Sequence, residues 1–176
     1  YDKAREAYEK VVEIEPKYFP AHHGLGIIYS QAQEKERAAA SFKTAIGIKP
    51  NFGPSRYRLG AVYLEEQEYS KAIEELRLAA KYVSREPEIY SVLGNAYMSI
   101  GKLSEAVAAF EKTLELDGDR ADVHNRLGLA YTEQSHALLG AVMADQDKLK
   151  TAVEEHRLAV QLEPNNGWFQ HNLGMA

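Results

Sequence analysis

LGIIYSQAQEKERAAASFKTAIGIKP, residues 25–50, decides the fold. Leu25 and Tyr29 lie four residues apart, so on a helix they share one face. Ala38 and Phe42 repeat that spacing in a second segment, where the small Ala suits a close helix crossing. Gly26, beside Leu25, leaves room for a neighbouring backbone. Pro50 has no N–H, so it ends one helix or opens the next. The stretch predicts two helices joined by a short turn.

The same pattern recurs along the chain. Leu25-Gly26, Leu59-Gly60, Leu93-Gly94 and Leu127-Gly128 follow one another at intervals of 34 residues, and Leu173-Gly174 follows after 46. Each of the first four is trailed by a tyrosine: Tyr29, Tyr63, Tyr97 and Tyr131. Ala38, Ala72, Ala106 and Ala152 come next, each with Phe42, Leu76, Phe110 or His156 four positions on. Pro16, Pro50 and Pro164 close units. Two helices per 34 residues make a hairpin too small to bury its own apolar face, so neighbouring hairpins must stack. Val and Ile fall singly at helical spacing, and no segment alternates with period two, so strands are not expected.

This spacing resembles the tetratricopeptide repeat family over the whole chain. The departures are small. Ser84 and Gly118 stand where Pro would be, and His22, Arg56, Tyr90 and His124 occupy the slot that often holds Trp. The resemblance implies an all-α, right-handed superhelical solenoid of antiparallel helix pairs. Residues 1–18 read as the second helix of a first repeat. Residues 19–52, 53–86, 87–120 and 121–166 read as full repeats, and 167–176 as the start of another. The chain reads as a fragment of a longer one.

Composition narrows the function. The chain has 26 acidic and 21 basic side chains, a net charge of -5, which argues against duplex nucleic acid as a partner. No apolar run approaches the ~18 residues that cross a bilayer, so direct membrane insertion is not expected. Cysteine is absent, which removes disulfides, thiol catalysis and Cys-ligated zinc. The six histidines form no ligand cluster at helical spacing. Gly24-Leu25-Gly26 lies inside a helix, and no phosphate-binding glycine loop or nucleophile elbow is present. Adjacent acids such as Glu65-Glu66, Glu74-Glu75 and Glu154-Glu155 diverge around a helix and look like solvated faces. The expectation is a non-enzyme without cofactor or metal.

In the family, the first helix of each repeat lines the concave groove that takes a peptide, helix or protein surface. Carried onto this chain, the resemblance places Tyr57, Arg58, Leu64, Asn95, Met98, Asn125, Arg126, Leu129 and Glu133 there, with His171 and Asn172 from the last segment. Amide side chains suit a peptide backbone, and Arg58 and Arg126 can grip carboxylates. The carboxylate clamp of heat-shock cochaperones is matched only in part. Asn95 and Arg126 resemble two of its members, but Tyr57 and Ser91 stand where its lysine would be. The reading is a protein-interaction scaffold or assembly factor. The alternatives are a docking module of a larger enzyme, or a protomer that self-assembles head to tail. The last alternative rests on apolar residues expected to be exposed at the two ends: Tyr8, Val11 and Val12 at one, Trp168, Phe169 and Leu173 at the other.

Repeat 121–166 is 12 residues longer than the rest, with the surplus between Tyr131 and Ala152. Its residues favour helix, so two lengthened arms are expected. An even split adds six residues, or ~9 Å, to each. Leu138, Leu139, Val142 and Met143 would then lie near the tip, with Leu138, Leu139 and Met143 as a second candidate contact.

Overall fold

The computed structural model describes residues 2–137 and 145–176, with His136 and Ala137 described by their backbone alone. They form α1 (Asp2–Ile14), α2 (Phe19–Gln31), α3 (Lys35–Ile48), α4 (Gly53–Glu65), α5 (Tyr69–Tyr82), α6 (Pro87–Ser99), α7 (Leu103–Leu116), α8 (Ala121–Ala137), α9 (Gln146–Leu162) and α10 (Gly167–Met175). No strand occurs among the described residues. The fold is an all-α array of antiparallel helix pairs. Its helices gather into two compact units, Tyr1–Arg85 and Glu86–Ala176.

Local chemistry explains where the helices start and stop. α2, α4 and α6 carry Pro20, Pro54 and Pro87 in their first turn, where the ring's fixed φ fits and its missing N–H leaves nothing unpaired. α2, α4 and α6 are each followed, two residues on, by a left-handed residue: Gln33 (φ 60°), Gln67 (φ 61°) and Gly101 (φ 69°). The next amide then reaches back to the carbonyl of the repeat tyrosine. Glu34 N meets Tyr29 O at 2.9 Å, Glu68 N meets Tyr63 O at 2.8 Å and Lys102 N meets Tyr97 O at 3.0 Å. This is the bond that closes a helix C-terminus in the Schellman motif.

Repeat 121–166 departs at that point. Ser135 holds the register of Gln33, Gln67 and Gly101, yet it is helical and fully buried. α8 runs for 17 residues against 13 in α2, α4 and α6, and α9 for 17 against 14 in α3, α5 and α7. α9 is thus three residues longer than α3, α5 and α7, and the described part of α8 is four residues longer than α2, α4 and α6. α9 starts after Asp145, whose side chain accepts from Lys148 N. Ser135 Oγ donates to Asp145 O at 3.4 Å and ties the arms together there. Leu138, Leu139, Val142 and Met143 lie outside the described residues.

Each pair packs in the same way. Phe42 lies over Gly26, Leu76 over Gly60, Phe110 over Gly94 and His156 over Gly128, so close that a Cβ on each glycine would sit 2.5, 2.7, 2.5 and 2.8 Å from them. Phe42, Leu76 and Phe110 are wholly buried, each contributing roughly 1.5–3 kcal/mol by leaving water. In the second unit, Phe110 gathers Ala106, Val107, Val123, Leu127 and Ala130 into one core. α10 docks through Phe169, which packs with Ala121 and Ala159. Phe169 is only 6% exposed, correcting its expected exposure, while Trp168 beside it is 60% exposed. At the other end Tyr8 is 38% exposed, and Val11 and Val12 are half-buried.

Candidate functional site

In the second unit, the candidate residues of α6 and α8 are joined directly. Arg126 Nη1 donates to Asn95 Oδ1 at 2.8 Å. Arg126 is exposed and Asn95 half-buried. Met98 and Leu129 flank them, both half-buried, Met98 resting on the Phe110 core. Glu133 is exposed two turns beyond Arg126 on the same face of α8. The group presents a guanidinium oriented by an amide, between two apolar side chains.

In the first unit, Arg58 is exposed, with its guanidinium 5.5 Å from the centre of the half-buried Tyr57 ring. Leu64 is half-buried farther along α4. His23 on α2 reaches α4 through Ser55, with 2.9 Å between Nδ1 and Oγ. Burial holds the His23 imidazole below its ordinary pKa, and the Arg58 charge adds to that effect.

Asn125 corrects the sequence reading. It is 4% exposed, and its Oδ1 accepts from Asn172 Nδ2 at 2.9 Å and from His156 Nδ1 at 3.1 Å. Because that oxygen only accepts, His156 carries its hydrogen on Nδ1. Asn125 therefore supports the face from beneath and links α8, α9 and α10. Asn172, expected in the groove, is 6% exposed and belongs to the same network. Burial lowers the His156 pKa below its ordinary value. The signal in the sequence was a histidine in an aromatic slot; the two asparagines that receive it are distant in the chain.

The Trp-like slot also has a shared chemistry that sequence reasoning missed. His22, Arg56, His124 and Gln170 each place a side-chain nitrogen on the carbonyl six residues earlier, at Pro16, Pro50, Gly118 and Pro164, over 2.8, 2.8, 3.0 and 2.6 Å. Each pins the start of its helix to the turn before it. Arg56 also pairs with Glu75, and His124 with Glu155, both at 2.6 Å. Arg120 grips Asp122 and Glu88, and its hydrogen bonds hold the Asp122 carboxyl below its ordinary pKa. Tyr131 donates to Glu111 at 2.8 Å; burial first and that carboxylate second push its hydroxyl up to about 12. Among the described residues no cluster of His, Asp or Glu could hold a metal ion.

Comparison with known proteins follows the same geometry. Family models of the tetratricopeptide repeat match residues 1–18, 19–52 and 53–82, and a TPR repeat model matches residues 94–135. A structure of MamA residues 41 to the end, from Desulfovibrio magneticus RS-1, superposes with a TM-score of 0.79 at 23% identity, over 94% of this chain and 86% of that one. YrrB, described as a TPR protein with an unusual peptide-binding site, superposes with a TM-score of 0.80 at 22% identity, over 97% and 81%. These structures share the fold. The Caenorhabditis elegans BBSome complex member bbs-4 is 23% identical over 115 residues, 53% of this chain and 25% of that protein. The chain thus matches about a quarter of that relative's length.

Proposed function

Because this chain belongs to the tetratricopeptide repeat family, we propose that it is a protein-binding scaffold whose first-helix face in the second unit holds an extended peptide or helix bearing a carboxylate beside an apolar residue. Tetratricopeptide repeats serve as protein-interaction scaffolds, and the family is generally non-enzymatic. Among the described residues no helix is long and apolar enough to cross a membrane. The observation that carries the finer reading is the exposed Arg126, set against Asn95 at 2.8 Å and flanked by Met98 and Leu129. Among the described residues Arg126 forms no ion pair within salt-bridge distance, and being exposed it offers further N–H donors to a ligand oxygen. Met98 and Leu129 offer apolar surface to the neighbouring side chain. Arg58, Tyr57 and Leu64 make a similar combination on α4 in the first unit. YrrB, of similar fold, has a peptide-binding site in its own description, which supports the reading.

The test is fluorescence anisotropy with short labelled peptides in which Asp or Glu neighbours Leu or Phe. Asn95→Ala with Arg126→Ala is expected to weaken binding about tenfold or more, since charge-assisted hydrogen bonds are worth roughly 1.5–3 kcal/mol. Thermal melts should stay nearly unchanged, because Arg126 is exposed and Asn95 only half-buried. Unaltered affinity in the double variant would move the site away from this face.

A further inference from the structure

Arg126 has a competitor for its guanidinium on its own helix. One turn away on α8 stand Asp122, Val123, Leu129 and Ala130, and of these only Asp122 is charged. An acid four residues ahead of a base is the favoured order for an ion pair on a helix. Such a pair would occupy the donors that a ligand carboxylate needs. Among the described residues Asp122 and Arg126 form no ion pair; Arg126 donates to Asn95 instead.

Asp122 is held by Arg120, in the turn before α8. Arg120 Nε donates to Asp122 Oδ1 at 2.9 Å and Nη2 donates to Oδ2 at 3.0 Å. Its third nitrogen, Nη1, donates to Glu88 Oε2 on α6 at 3.1 Å. A two-pronged guanidinium grip is among the strong charged hydrogen bonds. The Arg120 side chain is 24% exposed, whereas Arg126 is open to solvent, so water screens the grip less than it would screen the rival pair. The hydrogen bonds from Arg120 hold the Asp122 carboxyl below its ordinary pKa, and the Arg126 charge adds to that effect. Asp122 is therefore ionised and within the field of Arg126.

The repeat register supplies internal comparisons. The positions of Arg120, Asp122 and Arg126 read Glu86, Glu88 and Val92 one repeat earlier, and Phe52, Pro54 and Arg58 two repeats earlier. Where Arg58 has no acid a turn ahead of it, no arginine precedes it. Where Glu88 has no arginine a turn beyond it, again no arginine precedes it. The guarding arginine accompanies the one first helix of the three that carries both an acid and a base at this spacing. We infer that Arg120 is a positioning residue for the carboxylate-binding face, which captures Asp122 and so keeps the Arg126 guanidinium open to a ligand. This rests on the reading of Arg126 as the contact for a ligand carboxylate.

The test uses a labelled peptide in which Glu neighbours Leu, with affinity read by fluorescence anisotropy. Arg120→Ala is expected to weaken binding about two- to fivefold, the range of one exposed ion pair. Adding Asp122→Asn should restore the affinity, which a purely structural role for Arg120 would not allow. Thermal melts identify any variant that fails to fold, and Arg120→Gln, which keeps part of the stem, then replaces Arg120→Ala. Without peptide, the Arg126 ¹⁵Nε resonance should move in Arg120→Ala and return in the double variant. A resonance that stays in place, or a folded variant whose loss Asp122→Asn does not reverse, overturns the inference. Equal rescue by Glu88→Gln would mark a diffuse charge effect and overturn it as well. If Arg126→Ala leaves peptide affinity unaltered, the reading of the face falls, while the resonance comparison still decides whether Arg120 keeps Asp122 from Arg126.

Discussion

His156 stands in the slot that Phe42 and Phe110 fill elsewhere, and it covers Gly128 as those rings cover Gly26 and Gly94. It is 1% exposed, so the position behaves as core. The repeat register made the slot legible, because Ala152 lies four residues earlier. Its partners were not legible, since Asn125 and Asn172 lie 31 residues before it and 16 after. The polar choice has a consequence. Burial depresses the folded-state pKa below its ordinary value, so an unfolded chain takes up the proton first as pH falls. The contribution of neutral His156 is therefore complete above that value and is lost as pH drops through the depressed pKa. His156→Phe should remove this acid-side loss, seen as a wild-type melting temperature that falls relative to the variant between about pH 7 and pH 5. Parallel curves would show that residue 156 stays neutral across that range.

Helices in this chain are closed mostly by backbone, not by side chains. α2 to α7 have no side-chain cap at their N-termini. α9 and α10 do, through Asp145 and Asn166. α10 has nine residues, too few to be stable alone, and buries only Phe169 and Asn172. Its cap therefore matters more than a cap on a longer helix. Asn166→Ala, which removes the acceptor 3.2 Å from Trp168 N, is expected to cost about 1 kcal/mol. Faster amide exchange confined to α10 would show it; unchanged exchange there would mean that Phe169 and Asn172 hold the helix unaided. At this scale the sequence was a good guide, because Leu-Gly, Tyr and Ala recur with helical spacing. The stop in the shorter repeats is a left-handed backbone at Gln33 and Gln67, residues whose identity carries no such signal.

An array held by contacts between neighbouring repeats distributes stability locally. Ala106 is fully buried in the core that Phe110 and Leu127 share. Ala106→Leu should cost roughly 1–3 kcal/mol and raise amide exchange in α6, α7 and α8, while α2 and α3 keep their protection. An unchanged melting temperature would show that the repeat register has been misassigned. The sequence by itself determined the all-α repeat, its helix pairs and the slots that become core, because a period of 34 with apolar residues at helical spacing can bury its faces only by stacking. It also singled out Arg126 and Asn95, whose slots lie on the first helices. Only the tertiary structure decided which slot residues meet solvent and which meet each other. Asn125 turned inward to Asn172 and His156, Arg126 turned to Asn95, and His124 found a carbonyl and a carboxylate at once. Such pairings depend on how neighbouring helices cross, and that is settled by packing between side chains remote in the chain.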